Sequence, residues 1–157
     1  MVRYLSVLVA VAVLAMTATA GAAPRANSDD VVQIYQLQAT FHRAASTKNL
    51  DLMMSLWYDY ATLSVGDNAG YEGKNQIRGW FATSAGAFKP ENHWVSLTAA
   101  PKIRIDVRGN QASLYFECHY VDPATREMKT EATVNATLAR IKGRWQITDA
   151  IFGSANL

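Results

Sequence analysis

The stretch KTEATVNATLARIKGRWQITDAIFG, residues 129–153, decides how this chain folds. On both sides of Lys142-Gly143, Val, Leu, Ile, Thr and aromatic residues alternate with polar ones, the period of a half-buried strand. A Lys-Gly step between two such runs is a turn signal, so the spacing predicts a β-hairpin. One residue resists the pattern. Asn135 stands between Val134 and Ala136 at the centre of the first run, although amides are disfavoured in strands and costly to bury unpaired. Three readings follow. Asn135 is a donor aimed into a ligand pocket, a core amide satisfied by protein partners, or a glycan acceptor. The last reads Asn135-Ala136-Thr137 as a sequon, which needs a eukaryotic secretory route and an exposed strand.

Working outward, the same alternation runs through HWVSLTAAP, KIRIDVR, QASLYFECHYVD and EMKTEATVNATLARI, divided by turn signals at Pro101, Gly109-Asn110 and Asp122-Pro123. Earlier in the chain the period changes. After Ser28-Asp29-Asp30, a helix-start cluster, Ile34, Leu37, Phe41, Ala44 and Ala45 recur at helical spacing. Asn49 caps a second expected helix, LDLMMSLWYDY, and ATLSV is a short strand. KNQIRGWFATSA is a third helix, ended by Gly86 and Pro90. Three helices followed by four or five antiparallel strands give an α+β domain with the helices on one face of the sheet.

The first 22 residues stand apart. Arg3 precedes an apolar run from Leu5 to Met16, and Ala18-Thr19-Ala20 supplies small residues in AxA spacing, the layout of a secretory signal peptide. Cleavage is expected after Ala20 or Ala22. The run is shorter than the roughly 18–20 residues of a membrane span. Residues 23–30 read as a mobile leader and 31–157 as the domain, exported to the periplasm or beyond. Cys118 is the single cysteine, so no internal disulfide can brace the fold, and it reads as a small buried hydrophobe. The net charge of +2, with both signs interspersed, gives no basic stripe for nucleic acid.

Four segments in order, KNLDLMMSLWYDYATLSV, YEGKNQIRGWF, GNQASLYF and KGRWQITDAIF, resemble the nuclear-transport-factor-2-like superfamily, its SnoaL-like branch in particular. The resemblance spans residues 31–153. It implies helices packed in a strongly curved antiparallel sheet, a cone-shaped α+β barrel, often dimeric, with a pocket at the open end. It implies no single activity, because the fold hosts isomerases, dehydratases, cyclases, hydrolases and binders.

Ketosteroid isomerisation, the chemistry best understood in that superfamily, needs a carboxylate base with a tyrosine and a protonated acid as donors. Carried over without gaps, the base position falls on Val65, the tyrosine on Phe41 and the acid donor on Asn135. Valine cannot take a proton from carbon, so isomerisation is not expected. Scytalone-dehydratase-like members resemble this chain in carrying an Asn near that donor position and, with SnoaL-like members, a histidine at the start of the strand that His93 opens. His93 shares parity with Val95, Leu97 and Ala99, which suits a general base on an apolar face or a structural histidine equally. His119 shares parity with Ser113, Tyr115 and Glu117. It points outward if Phe116 and Cys118 face the core, and converges with His93 and Asn135 if the faces are reversed. His42, beside Phe41, is placed at a helix edge. Trp57, Tyr58, Tyr60, Trp80, Phe81 and Phe152 are candidate pocket walls or ordinary core. Three scattered histidines with no matching carboxylate spacing give no metal site, and no cofactor motif is present. The expectation is an exported pocket protein for a small hydrophobic ligand. The alternative is a cofactor-free lyase, cyclase or isomerase-like enzyme using His93 and Asn135. A homodimer is expected in either case, because Val134, Ala136 and Leu138 form an apolar face opposite Asn135 that needs cover.

Overall fold

A computed structural model describes residues 28–66, 70–97, 100 and 102–154. The expected signal peptide and residues 23–27 of the leader lie outside the described residues. Residues 28–30 do not belong to a leader: helix α1 runs Ser28–Ser46 and Asp30 is buried. Its carboxylate accepts from Trp145 Nε1 at 3.3 Å and pairs with the Arg140 guanidinium, pinning the first turn to the far hairpin.

The buried stripe of α1 is Ile34, Leu37, Gln38, Phe41, His42, Ala44 and Ala45, one face of a 3.6-residue period. Helix α2, Leu50–Met54, is a single turn capped by the Asn49 side chain, which accepts from Leu52 N at 2.8 Å. It is shorter than the sequence period suggests, because Trp57 onward joins strand β1, Trp57–Val65. Strand β2, Tyr71–Glu72, leads into helix α3, Gly73–Thr83, and a 3₁₀ turn at Gly86–Phe88. Then come β3, Val95–Ser96, β4, Ile103–Arg108, β5, Gln111–Val121, β6, Met128–Ile141, and β7, Arg144–Ser154.

These strands form one curved sheet in the order β2-β1-β7-β6-β5-β3, with β4 also on β5. The sheet is mixed rather than purely antiparallel, since β1 pairs with β7 in parallel. The β6–β7 hairpin closes at Ile141↔Arg144 through Lys142 (φ 49°) and Gly143 (φ 78°), two left-handed residues whose twist matches that of the strands. Its ladder then slips, with Leu138 opposite Ile147 but Thr137 opposite Asp149, which leaves Thr148 as a bulge. The bulge changes which parity faces inward. Trp145 and Ile147 are buried before it, and Ala150 and Phe152 after it. The core lies between this inner face and the helices. Phe41 meets Phe81, Phe116 and Phe152 edge-to-face at ring separations of 6.3, 5.2 and 5.9 Å. Such pairs add about 0.5–1.5 kcal/mol each beyond area burial. Among the described residues no helix is long and apolar enough to cross a membrane.

Candidate functional site

Residues of α1, α3, the 3₁₀ turn, β5, β6 and β7 line a cavity of about 300 Å³ that opens to solvent. Phe41, Trp80, Phe81, Phe88, Trp94, Val134 and Phe152 supply its apolar walls, and Ser84, Cys118, Tyr120 and Thr130 its polar atoms. The 3₁₀ turn forms part of the rim and is tied down from α1's end. Lys48 Nζ donates to Ala87 O at 2.9 Å and to Asn92 O, while Asn92 Nδ2 donates to Gly86 O at 2.8 Å. Gly86 suits this turn because a Cβ there would lie 3.2 Å from the Trp94 ring. Trp94 can therefore pack close against the turn and still line the cavity.

The ionisable groups that line the cavity are neutral ones. Burial pushes the Cys118 thiol up to about 12, with a Tyr120 hydrogen bond opposing the shift. Burial likewise drives the Tyr120 phenol well above its ordinary value. Behind Cys118 lies His42, fully buried, with Nδ1 2.6 Å from Ser96 Oγ and Nε2 4.0 Å from Cys118 Sγ. Burial holds the His42 ring down at about 4, so it is an uncharged imidazole at neutral pH. A protonated thiol beside a neutral histidine is not an activated nucleophile, whose reactive form is the thiolate. The set donates and accepts hydrogen bonds but carries no charge.

Of the residues expected at a pocket, Trp80, Phe81 and Phe152 line this cavity. Trp57 is fully buried in the core instead. Tyr60 is 79% exposed, with the Tyr58 ring 5.5 Å away. Both are on the even parity of β1, where Trp57, Ala61 and Leu63 take the buried parity. Asn135 is exposed on the outer face, opposite Tyr115 and Ile151. Its buried neighbours are Val134 and Ala136, so the donor position carried over from the resemblance falls on the outward parity of β6. An exposed amide at the centre of a strand carries no burial cost. His93 is exposed as well, because β3 turns Ser96 inward and leaves Leu97 43% exposed. The inward residue beside His93 is Trp94. His119 lies on the outer face between Glu117 and Glu131 and does not meet Asn135 or His93 at a common site. His42 is a second histidine whose face the sequence reading misplaces, since it is fully buried rather than at a helix edge. Its position eight residues after Ile34 and four after Gln38 sets it on the buried stripe, a signal that was available.

The sequence matches the model of the SnoaL-like domain family over residues 26–150. No curated protein matches it. Solved structures resemble it at low identity. A protein of unknown function with a cystatin-like fold from Nostoc punctiforme PCC 73102 aligns at a TM-score of 0.69 and 16% identity, over 82% of this chain and 93% of that one. An NTF2-like protein from Pseudomonas putida KT2440 aligns at 0.70 and 12%, over 82% and 89%. Another NTF2-like protein, from Novosphingobium aromaticivorans, aligns at 0.67 and 14%, over 82% and 83%. Likeness at such identity establishes architecture and leaves activity to the site. The family pattern runs through both layers that enclose the cavity, and the chain belongs to the SnoaL-like domain family.

Proposed function

We propose that this chain is an exported SnoaL-like pocket protein that binds a small, largely apolar molecule carrying one hydrogen-bonding group. The observation that carries the reading is the cavity. Its walls are aromatic, and its titratable groups, Cys118 and Tyr120, are kept protonated by burial. Such a lining gains free energy from apolar contact and orients a hydroxyl or carbonyl through a few neutral partners. At about 300 Å³ it stands at the lower end of the range of small-molecule sites, suited to a mono- or bicyclic compound. Export rests on the charge, apolar run and small-residue pattern of residues 1–22. The enzyme alternative would need His93 and Asn135 at one reacting centre, and both side chains are exposed outside this cavity.

Ala132 lines the cavity from β6 and offers the test. Ala132→Phe should fill the space, with a stability cost of about 1–3 kcal/mol for the added bulk. Titration with 2-naphthol, followed by its fluorescence, should show saturable binding to the wild type and at least about a tenfold loss in the variant. A folded variant that binds as well as wild type, or a wild type without saturable binding, would overturn the reading. Intact mass of exported protein should begin near Gly21 or Ala23; a full-length chain held in the membrane would remove the export half alone.

A further inference from the structure

The outer face of the sheet gathers three ligating side chains that the cavity does not use. Glu117 and His119 are two residues apart on β5 and share a face, and Glu131 on β6 is the direct cross-strand partner of His119. His119 Nε2 lies 3.1 Å from Glu131 Oε1 and 3.7 Å from Glu117 Oε2. One ligating atom from each of the three lies within 4.8 Å of the others. We propose that Glu117, His119 and Glu131 form a binding site for a divalent transition-metal ion, with zinc the best match.

The spacing fits an ion. Zinc bonds to nitrogen and oxygen are about 2.0–2.2 Å, so neighbouring ligands of a tetrahedral site stand about 3.3–3.6 Å apart. The two measured separations, 3.1 and 3.7 Å, bracket that range. A direct hydrogen bond does not account for them. His119 Nε2 is close to Glu131 Oε1, yet it is buried with no aligned hydrogen-bond partner, and so is Glu131 Oε2. The Glu131 side chain is only 7% exposed, so its charge is largely removed from water with no donor on that oxygen. A carboxylate so placed is costly unless a cation or donors compensate it.

Surrounding groups hold the cluster in a ligating pose. The Tyr115 hydroxyl donates to Glu117 Oε1 at 2.8 Å, and Lys102 Nζ lies 3.6 Å from the same oxygen. That leaves Glu117 Oε2 facing His119. Donors that hold one carboxylate oxygen in this way fix the other for ligation. The β5–β6 ladder, continuous from Gln111↔Ala139 to Tyr120↔Thr130, gives all three residues a rigid base. As metal ligands, one imidazole and two carboxylates together supply two negative charges, which a divalent ion balances. One nitrogen and two oxygens, with a fourth position free for water, is a zinc-type set. Calcium and magnesium favour six or more all-oxygen ligands.

Calorimetric titration of zinc into tag-free, chelator-treated full chain near neutral pH should show uptake of one ion per chain. His119→Gln and Glu131→Gln should each weaken it about 100-fold or more, with far-UV dichroism unchanged, while His93→Gln should leave it intact. If a ligand variant fails to fold, Tyr115→Phe, which removes only the hydroxyl that donates to Glu117, should still weaken uptake about 10–100-fold. Cobalt(II) should give the visible d–d bands of a four-coordinate ion, lost in His119→Gln. No uptake by the wild type would mean that His119 bridges the carboxylates without metal, and would overturn the proposal. So would uptake that survives His119→Gln, or that disappears with His93→Gln.

Discussion

His42 occupies a slot in the α1 stripe where an aliphatic side chain would ordinarily pack, and it does so as a neutral ring held between Ser96 and Cys118. Its pKa is about 4 in the fold against 6.5 for an unperturbed histidine, with burial the first cause. Below pH 6.5 the unfolded chain gains a proton that the folded chain refuses until about pH 4. The contribution of His42 to stability is therefore complete above 6.5 and is lost progressively on acidification towards 4. A gap of that size corresponds to a loss on the order of 3 kcal/mol. His42→Gln keeps a hydrogen-bonding group for Ser96 and removes the titration. Urea unfolding at a series of pH values should give this variant a flatter acid limb than the wild type. Parallel limbs for the two proteins would sink the assignment. Cys118 follows the same logic with the opposite sign of charge: burial keeps the thiol protonated and unreactive, so its packing role and its chemistry agree.

Elements were more legible than the faces they present. The α1 stripe, the Asn49 cap, α3 and the Lys142-Gly143 turn can all be read from local spacing, because each follows from backbone period or turn chemistry. Side-chain direction in the strands could not be read as safely. Thr148 inserts one residue into β7, so Asp149, which shares parity with the buried Trp145 and Ile147, turns outward and accepts from the Thr62 hydroxyl. Nothing in RWQITDAIF marks that bulge. His93 failed for a related reason, since a two-residue strand offers too little alternation to fix its phase. The join between α1 and the β6–β7 hairpin was invisible as well, for Asp30 meets Arg140 and Trp145 across the whole domain. Arg140 also lies over the Trp145 ring at 5.0 Å. Asp30→Ala would strand a half-buried guanidinium and an indole N–H, at a cost of about 1–3 kcal/mol. Chemical denaturation of this variant should show that loss; a change under about 0.5 kcal/mol would mean that the contact is incidental.

For the molecule as a whole, the apolar face of β6 that the sequence leaves in need of a second copy already has its cover. Val134, Ala136 and Leu138 are buried in the inner layer, so the sequence argument from that face to a dimer no longer applies. What remains is the outer surface, where Ile151 is 51% exposed in a shallow groove beside Arg104, Tyr115 and Asn135. We propose that two copies pair through this surface around Ile151. Sedimentation should give a dimer at high-micromolar concentration and a monomer for Ile151→Glu; a wild-type monomer at that concentration would end the idea. The order of assembly within one copy has a further consequence. β7 lies between β1 and β6 yet follows every other strand in the sequence. As the ribosome delivers the chain, β1 has only the two-residue β2 beside it in the sheet until β7 emerges, and Trp57, Leu63 and Phe41 wait for Ile147 and Phe152. Long-range pairing of this kind closes late and leaves apolar surface open meanwhile. A polypeptide that cannot lock β1 to β6 before β7 is made stays open and threadable until that strand appears.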